Sequence, residues 1–260
     1  MVREAFTAAV AAVCLLGGPG NASAQDLTVA AASDLQAVLP AIAAQFEKDT
    51  GYPVRLAFGS SGNFFAQIQN GAPFDVFLSA DVGYPMRLEA SGFAEPGSLY
   101  EYARGRLVLW TRRDSGIDVA AGLEVLRSKK VRRISIANPE HAPYGRAAAA
   151  ALHRESLYDA IRGKLVLGEN ISQAAQFVQS GSADVGLIAL SLALSPALKN
   201  SGSYVEVPES LYPPINQAAI VVARSSQKAM ARRFIDLLKT PQTAQILQAY
   251  GFAPAASPPR

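Results

Sequence analysis

The sequence predicts an α/β fold of two lobes, each a mainly parallel sheet flanked by helices, with a ligand cleft between them. Three observations carry this prediction. Short apolar stretches alternate with amphipathic ones, the pattern of strand–helix–strand units. The alternation breaks near residue 104 and again near 214, where the chain would leave one lobe and return to it. Junctions from strand to helix repeatedly carry Ser, Gly or Asn. The division is then 25–104 for the first part of lobe I, 105–213 for lobe II, and 214–260 for the rest of lobe I with a tail. A single larger sheet is the alternative that pattern alone leaves open.

Composition bounds the function. Half of the 260 residues are hydrophobic and 17% are charged, so the chain can build a core. Net charge is +3, and the one dense basic run, Lys129-Lys130-Val131-Arg132-Arg133, reads as a solvated loop before a strand. No nucleic-acid partner is expected. Residues 1–24 read as a secretory signal peptide: Arg3, an apolar run over 5–16, and Ala22-Ser23-Ala24 as the cleavage site. That run is shorter than the roughly 20 residues of a membrane span. The sole cysteine, Cys14, lies inside it and follows Val13, unlike a lipid-attachment site. The mature chain would have no cysteine, hence no disulfide or thiolate chemistry. An exported, unanchored bacterial protein points to the periplasm.

In order, 27–30 is a strand and 35–48 a helix with Leu35, Val38, Leu39, Ile42 and Phe46 on its apolar side. Strand 54–58 ends in Gly59-Ser60-Ser61-Gly62-Asn63, and a helix follows until Asn70-Gly71. Strand 75–79 is nearly all apolar, as a strand covered on both faces should be. A short helix covers 86–90. A strand over 102–110 leads out of lobe I; 123–128 is helical and 134–137 is a strand. Asn138-Pro139-Glu140-His141-Ala142-Pro143-Tyr144-Gly145 precedes an alanine-rich helix. Strand 165–167 and Gly168-Glu169-Asn170-Ile171-Ser172 open another helix. Strands 185–189, 204–208 and 217–222 follow, then helices over 228–239 and 241–250.

Ser33 and Ser61 each end a strand and start a helix, where each would serve as N-cap. Parallel strands bring their carboxyl ends to one edge, where open α/β sheets bind ligands. Tyr144-Gly145 and Asn170-Ile171 form a second pair in lobe II. Four helix starts around one cleft supply neutral donors and favourable dipoles, which suits a compact, fully ionised oxyanion. Catalytic patterns are missing: there is no His-Glu-x-x-His, no Gly-x-Ser-x-Gly, no phosphate-binding Walker loop and no Gly-x-Gly-x-x-Gly. His141 is read as holding a structural hydrogen bond and His153 as solvated. Asp75 and Asp81 flank a strand, too common an arrangement to signal acid–base work. An exported hydrolase using Ser60 or Ser61 stays open as an alternative.

The ordered set Val29-Ala30-Ala31-Ala32-Ser33, Phe58-Gly59-Ser60-Ser61-Gly62, 71–81, 138–145, 168–174 and Tyr250-Gly251-Phe252 resembles the periplasmic molybdate-binding proteins of ABC transporters over essentially the whole mature chain. The resemblance implies the two-lobed periplasmic binding protein fold and a monomer that closes on molybdate or tungstate. It implies no enzyme activity, no cofactor beyond the transported oxyanion, no direct protein ligand to molybdenum, and delivery to an inner-membrane ABC permease. It places the ligands on Ser33 and Ser61, through hydroxyl and N–H, and on the backbone N–H of Tyr144 and Ile171. A tyrosine ligand of some members falls here on Ala189, and the Tyr144 phenol is expected to stand in for it. Asp34 is expected to act as a first-turn carboxylate pointing outward, and Arg146 as an exposed helix arginine. Sulfate or another tetrahedral oxyanion is the rival ligand.

Overall fold

The computed structural model describes residues 26–255. The expected signal peptide lies outside them. Two five-stranded sheets are present, so the single-sheet alternative fails. Strands and helices run β1 (Leu27–Ala32), α1 (Leu39–Thr50), β2 (Val54–Gly59), α2 (Ser61–Gln69), β3 (Val76–Ser79), α3 (Gly83–Ala90) and β4 (Tyr100–Gly105). The chain then crosses into β5 (Leu107–Arg112), β6 (Ile134–Ala137), α4 (Pro143–Arg154), α5 (Tyr158–Ile161), β7 (Leu165–Gly168), α6 (Ile171–Gln179), β8 (Val185–Ala189), α7 (Leu190–Ala193) and β9 (Gly202–Glu206). It returns for β10 (Ile215–Val221), α8 (Lys228–Leu238) and α9 (Pro241–Ala249).

The first sheet has the order β2-β1-β3-β10-β4 and the second β7-β6-β8-β5-β9. In each, three strands are parallel and two join antiparallel. The parallel halves carry the helix junctions and set them side by side. The two sheets also exchange topology symmetrically: β10 enters the first sheet after a crossing, as β5 enters the second.

Helix packing follows the sequence. In α1, Leu39, Ile42, Ala43 and Phe46 are buried at the i, i+3, i+4, i+7 positions of one face. In α8, Ala231, Phe234, Ile235 and Leu238 repeat that spacing, and Phe46 meets Phe234 edge to face at 5.3 Å. The first helix begins later than its apolar pattern suggests. Ser33–Leu35 is a 3-10 turn, and α1 starts at Leu39 with Pro40 in its first turn. A helix running from Leu35 would put Pro40 inside, where it lacks an N–H and clashes with the preceding turn. The 123–128 helix is likewise a 3-10 segment, Val119–Arg127, kinked at Gly122 with φ 65°. The expected strand 102–110 divides into β4 and β5, with Arg106 between them at the lobe boundary.

Two segments cross between lobes. One is the Gly105–Leu107 passage; the other runs from Val207 to Pro214. They are tied together: Val207 N–H donates to the Leu107 carbonyl, and Arg106 pairs with Glu206 and Glu209. Among the described residues, no helix is long and apolar enough to cross a membrane.

Candidate oxyanion site

Ser33, Ser61, Tyr144 and Ile171 line one cavity between the lobes, with about 190 Å³ of atom-free space. The room inside is far below what a drug-sized ligand needs, so this cavity suits only a compact ion. Larger surface grooves are lined by none of these four residues.

The donors follow from how each helix start is capped. In α2, Ser60 rather than Ser61 is the N-cap: its Oγ accepts from Asn63 N–H and its carbonyl from Phe64 N–H. Gly62 N–H crosses to the His141 carbonyl at 2.9 Å. In α6, the Asn170 side chain accepts from the N–H groups of Ser172 and Gln173, and its carbonyl from Ala174. In α4, Pro143 has no N–H to place, and Arg146 N–H already turns back to Ala142. The N–H groups of Ser61, Tyr144 and Ile171 are therefore left over. No protein acceptor is found for them among the described residues. Helix starts always leave such donors, and here they converge.

The two serine hydroxyls are held as acceptors. Ala80 N–H donates to Ser61 Oγ at 2.9 Å, and Ser172 N–H donates across the cleft to Ser33 Oγ at 3.3 Å. Each keeps its own hydrogen to give to an anion. Ser33 is thus not a helix N-cap; that position falls to Ala32, which makes no side-chain bond.

Asp34 departs most from expectation. Its side chain is fully buried instead of facing water, and the residue lies on the cavity wall. Gln217 Nε2 donates to Oδ2, while Oδ1 has no well-formed partner. Burial pushes the carboxyl from its ordinary 3.8 to about 6, against the pull of Gln217, the Tyr144 hydroxyl and the nearby N–H groups of Asp34 and Leu35. Gln217 is aimed by a register shift in β10 between Gln217 and Ala218 and by Tyr102, whose hydroxyl donates to Oε1 at 2.7 Å. Burial keeps Tyr102 and Tyr144 neutral, with both phenols raised well above 10. The Tyr144 hydroxyl lies on this network, 3.4 Å from Gln217 Nε2. Gln217, a buried amide in the mostly apolar strand β10, was the available signal for this cluster.

Other polar residues close the cleft. Arg146 is a bridge rather than a free helix arginine: it pairs with Asp81 and donates to the Tyr84 hydroxyl. Asp81 also accepts from Tyr84 N–H in the first turn of α3. Asp75 is structural, accepting from Thr28 N–H and the Ser225 hydroxyl. His141 Nδ1 meets Ser60 Oγ at 3.0 Å, and its Nε2 lies 3.6 Å from Glu169. This Ser-His-Glu set is one that sequence reading missed. It forms only with the lobes shut, when no space for an acyl substrate remains beside Ser60.

The sequence pattern of the bacterial extracellular solute-binding protein family matches residues 27–253. The chain belongs to that family. This solute-binding protein is 42% identical over 231 residues to the molybdate-binding protein ModA of Azotobacter vinelandii, covering 89% of this chain and 91% of that one. It is 38% identical over 244 residues to the molybdate-binding protein ModA of Rhodobacter capsulatus, covering 94% of each. The solved structure of the Azotobacter vinelandii periplasmic molybdate-binding protein matches with a TM-score of 0.84 at 38% identity, covering 89% of this chain and all of that one. The sulfate-binding protein SubI of Mycobacterium tuberculosis shares the fold, with a TM-score of 0.68 at 18% identity.

Proposed function

We propose that this chain binds molybdate, and also tungstate, in the periplasm as a monomer and hands it to an ABC permease. The observation that carries this reading is the convergence of the leftover N–H groups of Ser61, Tyr144 and Ile171 with two serine hydroxyls on one small cavity without a lining cation. Charge-assisted hydrogen bonds and helix dipoles then hold the oxygens, and molybdenum itself has no protein ligand. The relatives named molybdate-binding proteins support the same ligand. Binding and release proceed by rotation of the lobes about the two crossing segments. The oxyanion is cargo, and no resident cofactor enters the reading.

Calorimetric titration with molybdate, tungstate, sulfate and phosphate tests it. Tight binding of the first two and weak binding of the others is expected, because sulfate carries equal charge on a smaller ion. Sulfate affinity equal to that of molybdate would replace this ligand assignment. Labelling of Ser60 by a serine-reactive phosphonate would reopen the hydrolase reading.

A further inference from the structure

We infer that oxyanion capture by this protein takes up one proton from solvent, and that Asp34 holds it. The inference rests on the reading of the cavity as a site for a doubly charged oxyanion. Asp34 is fully buried on the wall that Ser33 and Ser61 share with Tyr144 and Ile171. An arriving dianion therefore meets a carboxylate inside the same small enclosure.

Nothing packed on Asp34 offsets a second negative charge. From β4 it is faced by Tyr102, from α4 by Tyr144, and from β10 by the neutral amide of Gln217. From α7, the Ser191 hydroxyl donates to the Asp34 carbonyl. Tyr212 stands beyond Tyr144 and accepts from Leu107 N–H. No cation is among them. The basic groups around the site are engaged elsewhere: Arg146 by Asp81 and Tyr84, His141 by Ser60 and Glu169, and Arg104 and Arg106, which flank the Gly105 that packs on Tyr144 and Gln217, by Glu206 and Glu209.

Like charges so enclosed drive one of them to neutralise. The proton goes to the carboxylate, no bond of the ligand breaks, and the neutral acid gains an O–H donor. Oδ1, the oxygen without a well-formed partner, is the atom that can direct this donor to an oxyanion oxygen. In the closed cleft burial alone brings the carboxyl to about 6 and the dianion raises it further, so at neutral pH the proton is acquired as the lobes close on the ligand. Below about 6 it is already present, and binding loses its pH dependence.

The test is calorimetric titration of the native protein with molybdate at pH 7.5 in buffers of different ionisation enthalpy. Uptake close to one proton per molybdate is expected, with affinity falling about tenfold per pH unit above 7 and levelling off below 6. Asp34→Asn should abolish the uptake and flatten the pH profile. Tight molybdate binding by the native protein without proton uptake would overturn the inference, as would undiminished uptake by Asp34→Asn. Should that variant not fold, infrared difference spectra of the native protein decide: loading must add the C=O band of a protonated carboxyl, and its absence overturns the proposal. Native protein that binds none of the oxyanions would overturn the ligand reading, and the inference with it.

Discussion

Ser61 is fixed by its own lobe and left with a hydrogen for the ligand. Its hydroxyl accepts from Ala80 N–H and keeps a hydrogen for the ligand, so Ser61→Ala removes a charge-assisted bond and orphans a buried N–H. We expect molybdate affinity to fall by about 1.5–3 kcal/mol, read by calorimetry. Asp34 makes a stability prediction of its own. Its folded-state carboxyl lies above the unfolded value, so the native state binds the proton more tightly. Stability is then greatest below pH 3.8 and is lost as pH rises through about 6. The 2.2-unit difference between 3.8 and about 6 corresponds to about 3 kcal/mol. Urea unfolding of the ligand-free protein should show this loss relative to Asp34→Asn, which lacks it. Sequence reading could reach Ser61 because its signal is local: a strand end, two serines and a helix. It misjudged Asp34 because the cause is remote. Directly after Ser33, an acid looks like a solvated first-turn residue. Its burial depends on Gln217, 183 positions away, and on Tyr144 from the other lobe.

Helix starts are the working elements, and their approach is tight. A Cβ on Gly62 would stand 2.6 Å from the His141 carbonyl and 2.7 Å from the Tyr84 hydroxyl, so α2 needs glycine there to meet the opposite lobe. Gly62→Ala should leave each lobe folded but hold them apart. At saturating molybdate, small-angle scattering should report a larger radius of gyration than for the native protein. The boundaries of these elements were legible where caps are sequence-local, as at Asn170 before α6. They were not legible where a proline overrode the apolar pattern, as at Pro40 in α1. Nor could the pattern show that Ser60, not Ser61, caps α2. Two adjacent serines offer the same hydroxyl to the same turn, and only the Ala80 N–H decides between them.

Across the whole molecule, closure depends on contacts that are mostly polar. Gly62 meets His141, Asn63 meets Glu169, Gln36 meets Ser172, and Arg146 meets Asp81. Such bonds replace bonds to water and give little net free energy. Arg146 and Asp81 retain 39% and 26% exposure, so solvent screens the pair and its worth is at most about 1 kcal/mol. Arg146→Met should weaken binding less than tenfold, and stopped-flow release should place the change in the dissociation rate. The two-sheet plan could be read from the alternation of strands and helices, but the contacts that shut the cleft could not, since they join residues far apart in the chain. Weak lobe contacts have a consequence for signalling. An empty cleft has little to hold it shut, so the lobe spacing becomes a record of occupancy. A partner touching both lobes at once could tell cargo from no cargo by span alone, without ever contacting the ion.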